Sequence, residues 1–257
     1  MKKINITIAG ALGRMGKILI KRVSKNKNLK LISLTDLKSG KTINGIRIQK
    51  NNMEAFKKTD VIIDFSTPKA SLEILNYAKK FKKKVVIGTT GFNSKQNDLI
   101  KNYSKKIAIF KSGNMSLGIN LLEYVVSIFS EKVPSNYQIG ISDDHHKRKV
   151  DYPSGTALML ANAVSKGKNK NLESIKGKMF LNKSGSLQKN KINFFISRKG
   201  NTIGKHSVNF NNKIENIELK HTAFSRDLFA DGALNAAVWI SKRNNGLFNM
   251  QDILGLK

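Results

Sequence analysis

A chain of 257 residues can build one large domain or two modest ones, and a hydrophobic fraction of 40% is ordinary for a globular fold. The absence of cysteine excludes disulfides and thiolate metal sites, and no apolar run approaches the roughly eighteen residues of a membrane span. The net charge of +30 raises a nucleic-acid reading, but only seven of the 47 basic residues are arginine, and the lysines are spread along the whole chain.

That spread describes a solvated lysine coat, so no nucleic-acid partner and no membrane partner are expected. The field would still draw in small anions, with a strong salt dependence. Met1-Lys2-Lys3 followed by residues 4–12 has the outline of a short signal peptide, yet Asn5 and Thr7 interrupt it and a glycine-spaced loop follows at once. A cytoplasmic location is expected.

In chain order, residues 3–9 read as a buried strand, 13–24 as a helix and 29–36 as a second strand. A third strand over 61–65 leads to a helix over 68–81 with proline in its first turn. Strands at 85–88 and 107–110 flank a helix at 94–103. Strict alternation of this kind predicts βαβ units and a doubly wound parallel sheet. After Ser112 the pattern changes. A helix at 116–129, a strand at 137–144 and a helix at 154–164 precede a lysine-, glycine- and asparagine-rich stretch at 165–190 that reads as loop. Strand-like runs at 191–197, 204–210 and 214–220 then suggest an α+β second domain with an open, largely antiparallel sheet, and the chain closes on a helix at 228–240.

The first strand runs into Gly10-Ala11-Leu12-Gly13-Arg14-Met15-Gly16. A dinucleotide needs this: a tight turn, close backbone approach to the pyrophosphate, and helix N–H groups aimed at that anion. Arg14 adds a guanidinium, and Asp36, about twenty residues on, is placed for the ribose hydroxyls. A carboxylate there repels a 2′-phosphate by roughly 4 kcal/mol at about 4 Å and an effective dielectric near 20. NADH is therefore expected to serve at least as well as NADPH, although Lys38 and Arg14 could offset the repulsion. Phe65-Ser66-Thr67-Pro68 and Gly88-Thr89-Thr90-Gly91-Phe92 fall at strand carboxyl ends, where such sheets bind ligands.

The densest polar cluster is Asp143-Asp144-His145-His146-Lys147-Arg148-Lys149-Val150-Asp151-Tyr152-Pro153-Ser154-Gly155-Thr156-Ala157. Adjacent histidines on a strand point to opposite faces, so one ion does not easily take both, and no metal is expected. Pro153-Ser154-Gly155-Thr156 reads as a helix start, an anion site beside the Lys149 ammonium. A carboxylate substrate fits, with His145 or His146 placed to give a proton near neutral pH.

These residues carry a resemblance. The chain resembles the 4-hydroxy-tetrahydrodipicolinate reductases (dihydrodipicolinate reductases) over nearly its whole length. The similar stretches are Ala9-Gly10-Ala11-Leu12-Gly13-Arg14-Met15-Gly16, Asp64-Phe65-Ser66, Gly88-Thr89-Thr90-Gly91-Phe92 and Ser112-Gly113-Asn114-Met115-Ser116, then the run from His145-His146 through Lys149 to Pro153-Ser154-Gly155-Thr156-Ala157, and His221-Thr222-Ala223-Phe224-Ser225-Arg226. The His-His run is highly specific, unlike a glycine loop.

The resemblance implies an NAD(P)H-dependent reduction in diaminopimelate and lysine biosynthesis, with hydride from nicotinamide C4. His145 would be the proton donor, assisted by Lys149. His146, Lys149, Ser154, Gly155 and Thr156 would hold the carboxylates of a small dicarboxylate substrate. Gly10, Arg14, Met15, Asp36, Gly88, Thr90, Ser112, Asn114 and Met115 would line the cofactor. It also implies a Rossmann domain over residues 1–116 with 226–257, a substrate and tetramerisation domain over 117–225 with an open mixed sheet, a homotetramer, and a closing motion that excludes water before hydride transfer.

Two departures stand out: Leu37 occupies a position that often carries arginine in relatives accepting both cofactors, and Tyr152 replaces a residue that is frequently small. Another two-domain dehydrogenase would share the glycine loop but not the run over 145–156. A cofactor-binding sensor without turnover is opposed by the presence of both His145 and Lys149.

Overall fold

The computed structural model describes residues 2–256. The chain separates into two compact units, Met1–Leu117 with Arg226–Lys257, and Gly118–Ser225. The first begins with β1 (Ile4–Ala9), α1 (Arg14–Val23) and β2 (Leu29–Thr35). A short hairpin follows, β3 (Thr42–Ile43) and β4 (Ile46–Gln49), then α2 (Met53–Lys57), β5 (Val61–Asp64), α3 (Pro68–Lys80), β6 (Lys84–Ile87), α4 (Ser94–Ser104) and β7 (Ala108–Lys111). The strands are apolar on both faces because both are covered. Ile6, Ile8, Val61, Ile63, Val86 and Phe110 pack toward Leu19 and Val23 of α1. Ile62, Val85, Ile87 and Ile109 pack toward Phe56, Ile74 and Ile100 of α2, α3 and α4. Local chemistry starts the helices. The Thr67 hydroxyl accepts from Ala70 N–H ahead of Pro68, and Asn93 with Gln96 forms a reciprocal capping box.

The hairpin β3–β4 and α2 were not expected from the sequence. Asn44 and Gly45 both take positive φ, +51° and +76°, the twist a two-residue hairpin turn needs. That asparagine–glycine pair between Ile43 and Ile46 was a readable signal. α2 is five residues long, too short to show a helical period, and it is held by its Asn52 cap.

The second unit contains α5 (Leu117–Lys132), β8 (Gln138–His145), α6 (Gly155–Gly167), α7 (Leu172–Ile175), β9 (Lys176–Leu181), β10 (Ile192–Arg198), β11 (Gly204–Asn211) and β12 (Asn216–Ala223). Its sheet runs β12-β11-β8-β10-β9. β10 is parallel to both β8 and β9, whereas β11 is antiparallel to both β8 and β12. The sheet is mixed, which corrects the largely antiparallel expectation. The reason is a pair of same-direction connections: α6 and α7 carry the chain from β8 to the outer strand β9, and residues 182–191 bring it back as β10 between the two. The stretch at 165–190 also holds α7 and β9 rather than loop alone; Lys176 and Lys178 mask the alternation of β9 at the sheet edge. Ile139, Ile141, Phe194, Ile196, Val208 and Phe210 form the inner face of this sheet, packed with Ile119 of α5 and Leu160 and Val164 of α6.

The chain then re-enters the first unit as α8 (Asp227–Ile240), β13 (Gly246–Phe248) and α9 (Met250–Leu254). The expectation that the sequence closes on a helix at 228–240 is thus corrected: β13 joins β7 in parallel and α9 follows it. The completed sheet is β13-β7-β6-β5-β1-β2-β4-β3, parallel at every junction except β3–β4. α8 packs beside α1 through Ala230, Ala233, Leu234, Ala237 and Ile240. Gly232 lies against the Met115 carbonyl, where any Cβ would overlap the oxygen.

Candidate active site

In the first unit the β1–α1 loop is built from glycines with steric reasons. Gly10 sits at φ +77°, and a Cβ there would overlap the Phe65 carbonyl; a Cβ on Gly16 would overlap the Gly10 carbonyl. α1 begins after Gly13 with no side chain capping it, which leaves its positive end to an anion. Asp36 follows β2 and accepts the Leu12 N–H at 2.9 Å. A cleft of about 550 Å³ opens here, lined by Gly10, Gly13, Asp36, Ser66 and Thr67 among others. It lies between β1 and the neighbouring strands β5 and β2, at the switch point of the sheet.

The other expected cofactor residues fall on the same sheet edge in different states. Arg14 is exposed at the start of α1, and Thr90 is exposed beyond β6. Gly88 packs on the Phe65 ring with no space for a side chain. The Ser112 hydroxyl donates to the Asn114 carbonyl at 2.7 Å, which shapes the loop after β7. Met15 and Met115 pack with the apolar core, so Met115, 2% exposed, can offer a ligand little beyond its backbone. Asp64, read in the sequence only as part of a family-like stretch, has a structural place of its own. Its carboxyl is fully buried at the end of β5, accepts from the Ser66 and Ser71 hydroxyls, and is pushed up by that burial against those hydrogen bonds.

In the second unit the sheet register assembles an ionic cluster. Along β8, Ile139 and Ile141 share a face with Asp143 and His145; along β10, Phe194 and Ile196 share it with Arg198; along β11, Phe210 and Val208 share it with His206. The pairings Arg198 with His145 and His206 with Asp143 put all four at one level, at the end of the apolar core. Asp143 is wholly buried and central. One oxygen, Oδ2, accepts the Ser154 N–H at 2.7 Å and Arg198 Nη2 at 2.9 Å. The other, Oδ1, lies 3.0 Å from His145 Nδ1 and 3.3 Å from His206 Nε2. Burial pushes this carboxyl up, but His145, His206, Arg198 and the Ser154 amide outweigh it and hold it well below the usual carboxylate range. Burial depresses His206.

Ser154 caps α6, its hydroxyl accepting from Ala157 N–H at 3.2 Å, so the helix start is fixed beside His145. Gly155 is exposed and Thr156 half-buried in that first turn, while His146 is buried. The Lys149 ammonium is paired with Asp151, at 2.8 and 2.7 Å to its two oxygens. Such a partly exposed pair is worth about 0–1 kcal/mol and exchanges readily for another anion.

Sequence reasoning singled out His145, His146, Lys149 and 154–156, but missed Arg198 and His206 and gave Asp143 no role. A charged or polar residue in the inward phase of an otherwise apolar strand was the available signal. Asp143, His145 and His206 present donor atoms within 4.8 Å of one another, the types a metal takes. The Arg198 guanidinium on the same carboxylate opposes a divalent cation there.

Comparison with known proteins gives concordant results. A family model described as dihydrodipicolinate reductase, N-terminus, matches residues 4–115, and one described as dihydrodipicolinate reductase, C-terminus, matches 118–254. A protein named 4-hydroxy-tetrahydrodipicolinate reductase from Pelagibacter ubique (strain HTCC1062) is 52% identical over 258 residues, covering 100% of both chains. One of the same name from Buchnera aphidicola subsp. Cinara cedri (strain Cc) is 45% identical over 267 residues, covering 98% of this chain and 97% of its own. Among solved structures, the dipicolinate-bound dihydrodipicolinate reductase of Paenisporosarcina sp. TG-14 superposes with a TM-score of 0.79 at 22% identity, covering 98% of this chain and 100% of that one. At that identity the superposition speaks for the fold.

Proposed function

The chain belongs to the dihydrodipicolinate reductase family, and from that premise we propose the assignment of its chemistry to particular residues. It is an NAD(P)H-dependent oxidoreductase that reduces 4-hydroxy-tetrahydrodipicolinate to tetrahydrodipicolinate in the diaminopimelate route to lysine. The nicotinamide cofactor supplies the hydride. The residues Gly10, Arg14 and Asp36, with Gly88, Thr90, Ser112, Asn114 and the Met15 and Met115 segments, bind it. The open start of α1 and the adjoining cleft fit a pyrophosphate and a ribose. The dicarboxylate substrate is held by the first turn of α6 at Ser154, Gly155 and Thr156, with His146 and the Lys149 ammonium released from Asp151.

The 4-hydroxyl departs as water earlier or alongside, and His145 protonates the enamine carbon that hydride addition leaves. The observation that carries this reading is the single carboxylate, Asp143, bonded to the α6 start and 3.0 Å from His145, which puts a proton donor beside an anion site. The test follows NADH consumption with substrate freshly made from aspartate semialdehyde, pyruvate and the upstream synthase. His145→Gln is expected to lower kcat by about 10² to 10⁴ with little change in NADH affinity; an unimpaired variant would remove His145 from the mechanism.

Cofactor choice rests on Asp36, whose carboxylate is fixed at the cleft by the Leu12 amide. NADH is expected to give a kcat/KM at least equal to that of NADPH, and a preference for NADPH of about a hundredfold (about 2.7 kcal/mol) would refute it. A homotetramer joined through the second unit and a cytoplasmic location complete the reading; light scattering of the purified enzyme checks the former. No helix among the described residues is long and apolar enough to cross a membrane.

A further inference from the structure

The geometry points to Asp143 as a positioning residue whose carboxylate faces Nδ1 of His145 in ion-pair contact, so that Nε2 is the nitrogen that gives up the proton, and that fixes the α6 anion site by the same carboxylate. The inference rests on the assignment of His145 as proton donor and extends it. Three observations support it independently. First, Oδ1 of Asp143 lies 3.0 Å from Nδ1 of His145, while Oδ2 is already taken by the Ser154 amide and Arg198. Second, the carboxylate itself cannot swing away. It is fully buried, and Arg198 also grips the Asp143 carbonyl at 2.8 Å and the Asp151 carbonyl at 2.9 Å. Third, Nε2 of His145 lies beside Gly204, where an added Cβ would come within 3.3 Å of that nitrogen. A residue without a side chain keeps that side of the ring clear.

The enamine electron pair forms the new C–H bond with the proton on Nε2, the Nε2–H bond breaks, and its electron pair stays on the imidazole. The neutral ring that remains carries its proton on Nδ1, toward Asp143, and a proton taken up from bulk solvent later restores the Nε2–H bond. An acceptor fixed opposite Nδ1 favours that tautomer and so the direction of transfer. His206 shares Oδ1 at 3.3 Å and the Ser154 hydroxyl at 3.2 Å, which closes the network on its third side.

Two measurements test the proposal. In the wild-type enzyme with nitrogen-15 histidine, saturated with dipicolinate and oxidised cofactor, the neutral His145 ring (assigned by its absence in His145→Gln) is expected as the Nδ1–H form. A neutral ring protonated on Nε2 instead would overturn the inference, and this measurement needs no variant of Asp143 to fold. In Asp143→Asn, kcat is expected to fall by about 10² to 10³. A kcat within about threefold of wild type would sink the proposal. Should His145→Gln be impaired while Asp143→Asn is not, the proton-donor assignment survives and the positioning role alone falls.

Discussion

Lys149 and Asp143 illustrate opposite uses of charge by single residues. The Lys149 ammonium is half-buried and tied to an exposed carboxylate, so its pairing is weak and replaceable. Lys149→Gln is expected to raise KM for the dicarboxylate by about 10- to 100-fold, the value of about 1.5–3 kcal/mol for a charged hydrogen bond, measurable by steady-state kinetics at saturating NADH. Asp143, in contrast, is fixed inside the fold, with its carboxyl held below the unfolded value of 3.8 by His145, His206, Arg198 and the Ser154 amide in spite of burial. A group depressed in this way stabilises the fold fully above that value. Below it the unfolded chain takes up a proton that the native chain refuses, and stability falls as the pH falls. Unfolding free energies from urea titrations run from neutral pH down are therefore expected to fall below about pH 4, by up to about 1.4 kcal/mol per pH unit from this group. Asp143→Asn should flatten that slope, and an unchanged slope would exclude Asp143 as its source.

At the scale of elements, the glycines and the strand phases decide what can be built. Gly232 in α8 touches the Met115 carbonyl. An exposed helical glycine replaced by alanine would gain about 1 kcal/mol, but here overlap with backbone is expected to reverse the sign and cost about 1–3 kcal/mol, readable as a lower Tm. Much of the first sheet was legible because β1, β2, β5, β6 and β7 are apolar runs separated by helices with ordinary caps. α2, β13 and α9, at five, three and five residues, carry too few turns or alternations to declare themselves. β9 was hidden by its lysines. The site was legible where its residues are close in sequence, as from His145 to Thr156. Arg198 and His206 escaped because only strand register, invisible in a single sequence, brings them to Asp143. Their polar side chains in the apolar phase of β10 and β11 were the one local hint.

On the scale of the molecule, each unit owns a core. Gly118–Ser225 is continuous in sequence and surrounds its own buried Phe194, Phe210, Leu160 and Ile141. A fragment of those residues is expected to unfold cooperatively in urea; a non-cooperative, molten fragment would show that this core does not suffice. The net charge of +30 adds a second expectation for the intact enzyme. Raising ionic strength from about 0.01 to about 0.15 M shortens the screening length from about 30 to about 8 Å, and should raise KM for the anionic substrate several-fold. The first unit, unlike the second, is split in the chain, since α8 and β13 arrive only after residue 225. On the ribosome the inserted unit therefore emerges whole while the sheet begun at β1 still lacks the helix that packs beside α1 and the strand that shields β7. Translation through β13 is what seals the nucleotide fold, so a message cut before residue 226 leaves apolar strands bare for chaperones and proteases.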